Sequence, residues 1–208
     1  MKKIISLLCV FPIMAFADWQ ADVSLMQTEW AKIKYETEES KQQSQYDALL
    51  THCNQFLENN PQQAEVLIWH AIIEASYAGS LSAINPTALG YVKNAKKHLE
   101  ESIKINPEAL DGSAYTSLGS LYYQVPGWPL GFGDDDKAED FLKKGLAINP
   151  NGIDPNYFYA DFLIRDNRKD EAKKYLNNAK KAKGRPGREV ADQGRREEVM
   201  ALIQKINP

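Results

Sequence analysis

"YTSLGSLYYQVPGWPLGFGDDDKAEDFLKKGLAINP", residues 115–150, begins and ends with helix-type spacing, yet its middle carries two prolines and three glycines. Tyr115, Leu118, Gly119 and Tyr122 fall on one face of a first helix, and Ala138, Leu142 and Gly145 on one face of a second. Small residues at helical spacing let a neighbouring helix approach closely, and the large residue between them fills the groove. The two ends therefore read as a stacked helix pair, and the centre as an addition to it.

Working outward, "AKKHLEESIKINP" at 95–107 repeats the pattern with Ala95, Leu99, Ser102 and Pro107. Asn-Pro recurs at 60–61, 85–86, 106–107, 149–150 and 207–208. Proline disfavours helix at the residue before it and suits the first turn of the next, while asparagine caps, so each pair predicts a helix boundary. No run of alternating strand residues stands out, and the expected fold class is all-α.

On these residues the chain resembles a tetratricopeptide-repeat (TPR) protein, whose pairs follow W-x₂-L-G-x₂-Y, then A-x₃-F-x₂-A, then proline. Here tyrosine replaces the tryptophan, leucine the phenylalanine and glycine the last alanine. Weaker matches run from "AEVLIWHAIIEASYAG" at 64–79 into 86–105, and from Tyr159, Ala160 and Leu163 to Ala172, Leu176 and Ala179. The resemblance implies a right-handed helical solenoid of about three pairs across 44–182, because one pair cannot bury its own apolar faces. Capping helices are expected on either side. Val23, Met26, Trp30 and Ile33, then Tyr46, Leu49, Leu50 and Cys53, stripe the front; Val199, Leu202, Ile203 and Ile206 stripe the back.

The N-terminus reads "MKKIISLLCVFPIMAFADWQ". Two lysines, an apolar run and Ala15-Phe16-Ala17 predict a signal peptide of residues 1–17, cleaved after Ala17, and a periplasmic protein with one domain over 18–208. The run is too short to span a bilayer, which takes about 20 apolar residues. Cleavage leaves Cys53 as the only cysteine, so no internal disulfide is expected. The charge is uneven: residues 18–164 hold 10 Lys and Arg against 21 Asp and Glu, whereas 165–208 hold 13 against 7. A net-acidic exported chain argues against a nucleic-acid partner.

Both loops inside the helix pairs look long, at 79–91 and 125–134; Tyr122 to Ala138 exceeds the consensus spacing by about seven residues. The segment "VPGWPLGFG" suits order more than disorder, with Trp128 and Phe132 either folded back to plug the groove or walling a pocket. Asp134, Asp135 and Asp136 read as the cap and first turn of the next helix rather than a cation site.

The resemblance further implies a concave groove for a peptide, lined in this register by Ser113, Thr116, Ser120 and Tyr123, then by Tyr157, Asp161 and Ile164. Trp69, His70 and Tyr77 complete the candidate set from the preceding pair. Hydroxyls and tyrosines suit a peptide backbone, a sugar or an apolar chain equally. Arg185, Arg188 and Arg195 are candidate anion contacts, with ion pairing to Glu189, Asp192, Glu197 and Glu198 as the alternative. His52, His70 and His98 lack metal-pair spacing, and His70 and Glu74, four apart beside Trp69, are placed to share a pocket wall. No cofactor, metal or catalytic residue is expected. The leading reading is a non-catalytic protein-interaction module; the second is a small-ligand-binding helical protein, similar to the TPR-like T component of periplasmic transport systems.

Overall fold

The computed structural model describes residues 18–81 and 85–206. The leader assigned to residues 1–17 lies outside them. The described residues form α1 (Trp19–Glu36), α2 (Glu39–Asn59), α3 (Ala64–Ser80), α4 (Pro86–Ile105), α5 (Ala109–Gln124), α6 (Asp135–Ile148), α7 (Ile153–Arg165), α8 (Lys169–Lys181) and α9 (Glu189–Ile206). Among them no strand forms; a single bridge joins Gly127 to Gly133.

The Asn-Pro steps act as the sequence predicts. Asn60, Asn106 and Asn149 close α2, α4 and α6, and Asn85 opens α4 by accepting a bond from the Thr87 N–H at 2.9 Å. Asn207-Pro208 lies outside the described residues. Asp134 caps α6, accepting from the Lys137 N–H at 3.0 Å, and Asp135 and Asp136 sit in the first turn, where carboxylates favour the helix dipole. The start of α5 departs from a regular helix: Leu110, Asp111 and Gly112 all carry positive φ.

Three tight pairs form, α3 with α4, α5 with α6 and α7 with α8. Their small residues are what permits the approach. A Cβ on Gly145 would run into the Thr116 hydroxyl across the α5–α6 contact, and Ala138 and Leu142 are fully buried beside it. The odd-numbered helices touch in series, α1 to α3, α3 to α5, α5 to α7 and α7 to α9, while each even-numbered helix touches only its sequence neighbours. The odd helices are thus an inner layer and the even ones an outer layer.

The series closes on itself, because α1 also touches α9. Ala191 of α9 belongs to the apolar cluster built by Met26, Trp30, Cys53, Trp69 and Ile73 from α1, α2 and α3. The two terminal helices expected as separate caps therefore meet. The loop expected at 79–91 is shorter than its sequence suggests: α3 ends at Ser80 and α4 starts at Pro86, so residues 86–91 are helix.

Candidate functional site

The inner layer and the 125–134 loop are the two places where the sequence locates function. On the inner layer the groove candidates mostly satisfy one another. Tyr123 of α5 is buried and donates to Asp161 Oδ2 of α7 at 2.8 Å; its ring lies 5.8 Å from Phe162, with the Arg165 guanidinium 5.1 Å above. Burial, then the Asp161 charge, push the Tyr123 phenol far above its ordinary value, so it stays a donor. Ser120 accepts a bond from Gln124 Nε2 at 2.7 Å.

Several candidates lie elsewhere. Thr116 is buried in the α5–α6 contact, because glycine at 145 lets α6 cover it. Trp69 is core: its ring meets Trp30 edge to face at 5.6 Å, and Trp30 Nε1 donates to Ser76 at 2.8 Å. Tyr77 packs edge to face on Tyr91 of α4 at 4.8 Å. His70 is 3% exposed and faces Glu74 and His98 inside the first tight pair.

At one end of the inner layer the C-terminal arginines converge on Asp154 in the first turn of α7. Arg185 Nη1 reaches Asp154 Oδ2 at 2.6 Å and its Nε reaches Asp192 Oδ1 at 2.7 Å. Arg195 Nε donates to Asp154 Oδ1 at 2.8 Å, and its Nη1 to Glu198. The Arg195 guanidinium lies 4.3 Å from the ring centre of half-buried Tyr157 and 4.6 Å from that of Phe158, so this network covers part of the Tyr157 ring. Burial opposes the charge on Asp154, but Arg195 and Arg185 outweigh it and hold the carboxyl down to about 2. Ion pairing is therefore the use of Arg185 and Arg195.

Arg188 differs. Its guanidinium lies 4.8 Å above Trp69, and its Nε is buried without a hydrogen-bond partner among the described residues. Burial, then the adjacent Arg185 charge, pull it down to about 10.

The 125–134 loop is ordered by its own backbone. Gly133 N–H donates to Pro126 O at 3.0 Å, Leu130 and Gly131 both donate to Gly127 O at 3.1 Å, and Asp134 N–H donates to Tyr122 O at 2.9 Å. Phe132 folds inward, its ring 5.5 Å from Tyr122. Trp128 does not plug the groove: it is 90% exposed, and Leu130 beside it is 72% exposed. Only one of the two loop aromatics finds room at the helix pair, and Phe132 takes it.

Sequence reading missed His98. It stands 24 residues from Glu74, yet its Nδ1 lies 3.0 Å from Glu74 Oε2. The available signal was its place between Ala95 and Leu99, the α4 residues that face α3.

This fold and its inner layer define a TPR solenoid. Residues 130–192 match a family model described as tetratricopeptide repeat, and residues 18–129, more than half of the chain, match one described as "Regulator of microtubule dynamics protein 1-3". The chain belongs to this regulator of microtubule dynamics protein 1-3 family, with TPR architecture. Among solved structures it is similar to TTC0263, a thermophilic TPR protein in Thermus thermophilus, at 22% identity over 90% of this chain and 89% of that one, TM-score 0.59. It also matches MamA of AMB-1 at 20% identity over 91% and 97%, TM-score 0.46. PilF of Pseudomonas aeruginosa matches at 14% identity over 90% and 93%, TM-score 0.36. No curated protein matches. Among the described residues no helix is long and apolar enough to cross a membrane.

Proposed function

We propose that this chain is an exported, periplasmic, non-catalytic protein-interaction module whose partner grips the 125–134 loop. One observation carries this reading: an ordered loop holds Trp128 and Leu130 in water side by side, whereas the inner-layer candidates are occupied with one another. Exposed tryptophan at the apex of a fixed loop suits an interface, since its large apolar area is buried with little loss of side-chain freedom. The family's description names microtubule dynamics; the proposed role rests on the loop.

The test is recovery of partners from the native envelope with the wild-type chain and with Trp128→Ala. A partner held by the wild type is expected to be lost from Trp128→Ala, whose unfolding free energy stays within about 0.5 kcal/mol of wild type because the indole touches little. Fractionated cells should show the mature chain, starting at Asp18, in the periplasm. Equal recovery with Trp128→Ala, or a cytoplasmic chain with its leader intact, sinks the proposal.

A second reading, a small-ligand-binding protein, is favoured by Arg188. A guanidinium stacked on Trp69 with an unpartnered Nε suits the carboxylate of an organic acid. Thermal stabilisation by a panel of organic acids, abolished in Arg188→Met, is the expected result. No stabilisation by any of them ends that reading.

A further inference from the structure

His70 and Glu74 stand one turn apart on α3, and α4 brings His98 against them. His70 and Glu74 are each 3% exposed. Glu74 Oε2 lies 3.4 Å from His70 Nδ1 and 3.0 Å from His98 Nδ1, and one nitrogen or oxygen from each of the three residues falls within 4.8 Å of the others. The two imidazole rings meet edge to face with centres 4.8 Å apart.

Asn54 of α2 adds an observation that points to an occupant. Its Oδ1 lies 2.9 Å from His70 Nε2 and accepts a hydrogen bond from it. His70 Nδ1, on the other side of the ring, is buried, lacks a hydrogen-bond partner among the described residues and faces a carboxylate oxygen. A buried imidazole nitrogen and a buried carboxylate oxygen turned toward each other suit a cation held between them. A side-chain carbonyl gripping the far nitrogen of a histidine is also the way proteins orient ligating imidazoles.

We infer that His70, Glu74 and His98 form a binding site for one borderline divalent transition metal ion of the zinc type. Two imidazole nitrogens and one carboxylate oxygen suit zinc, cobalt or nickel and do not suit magnesium or calcium, which take oxygen shells. Zinc bonds of about 2.0–2.1 Å set tetrahedron edges of roughly 3.3 Å. The Glu74 edges, at 3.4 and 3.0 Å, match already. The His70–His98 edge, within 4.8 Å, has to shorten by a small side-chain shift when the ion enters. Three protein ligands leave a fourth position for water or an incoming donor, and the ion ties α3 to α4 while Asn54 adds α2.

The experiment uses the full mature chain, stripped with chelator and titrated with Zn²⁺ by calorimetry. One ion per chain is expected. His98→Gln should weaken binding by at least roughly 100-fold and Asn54→Ala by roughly 10-fold, while His52→Gln, at an exposed histidine on α2, leaves it unchanged. Wild-type and His98→Gln chains of equal affinity, or binding lost in His52→Gln, overturn the site. Should His98→Gln fail to fold, X-ray absorption of the zinc-loaded wild type decides: two imidazoles in the shell support the site, and an all-oxygen shell refutes it.

Discussion

Asp154→Ala is expected to destabilise the fold by about 3 kcal/mol, the lower end of the cost of removing one partner from a buried pair, because the Asp154 side chain keeps 28% of its surface exposed. Asp154 accepts from Arg185 at 2.6 Å and Arg195 at 2.8 Å, and only 8% of the Arg195 side chain is exposed. Without Asp154, Arg195 keeps one carboxylate, Glu198, for a guanidinium pressed on Tyr157 and Phe158. Asp154→Asn preserves the shape and removes the charge, which lets pH report the same bond. The folded carboxyl is depressed to about 2 from an ordinary 3.8, so its contribution is present at neutral pH and lost as pH falls from roughly 5 through about 2. The wild-type advantage over Asp154→Asn should therefore shrink by about 2 kcal/mol between pH 7 and pH 2. Urea unfolding across that range measures it. A gap that does not change with pH, or an alanine variant within about 1 kcal/mol of wild type at pH 7, would mean that Asp154 does not anchor the arginine network.

Local rules made the solenoid legible and left its interior contacts obscure. Asn-Pro boundaries and the Ala138, Leu142, Gly145 spacing need only one helix and its neighbour, and the structure places them where that chemistry requires. Trp69 was harder because α3 is apolar nearly all round, so periodicity gives its core face no contrast with a groove face. Thr116 reads as groove-facing by consensus register, but the residue opposite it is glycine, and α6 sinks onto it. Trp128 and Phe132 look equivalent in sequence; the inward place beside Tyr122 holds one ring. The two halves of the histidine cluster lie on different helices, and only the α3–α4 packing register brings His98 to Glu74. The α1–α9 contact depends on rotation accumulated over every pair between them, which no local window contains.

That closure gives the other large expected effect. Glycine inside a helix costs roughly 1 kcal/mol relative to alanine, so Gly194, buried in α9, needs a reason. The reason is Tyr35 of α1: a Cβ at 194 would run into the body of its ring. Tyr35 has little room to yield, because Trp30 meets it edge to face at 5.8 Å while its hydroxyl lies 3.4 Å from Glu198 Oε2, a carboxylate that Lys34 also approaches at 3.7 Å. Gly194→Leu therefore forces α1 away from α9, and a loss of about 3 kcal/mol or more is expected, at the upper end of overpacking costs. Hydrogen exchange should quicken in α1 and in the first half of α9, with protease cutting rising at Thr37 and Glu38 between α1 and α2. Tyr35→Ala combined with Gly194→Leu should recover part of the loss, since the space vacated by the ring takes the leucine; a double-mutant cycle isolates that coupling. If α1 amides in Gly194→Leu exchange as slowly as in the wild type, the terminal helices do not close the solenoid. Losses that simply add in the double variant would mean that Tyr35 and Gly194 do not pack on each other.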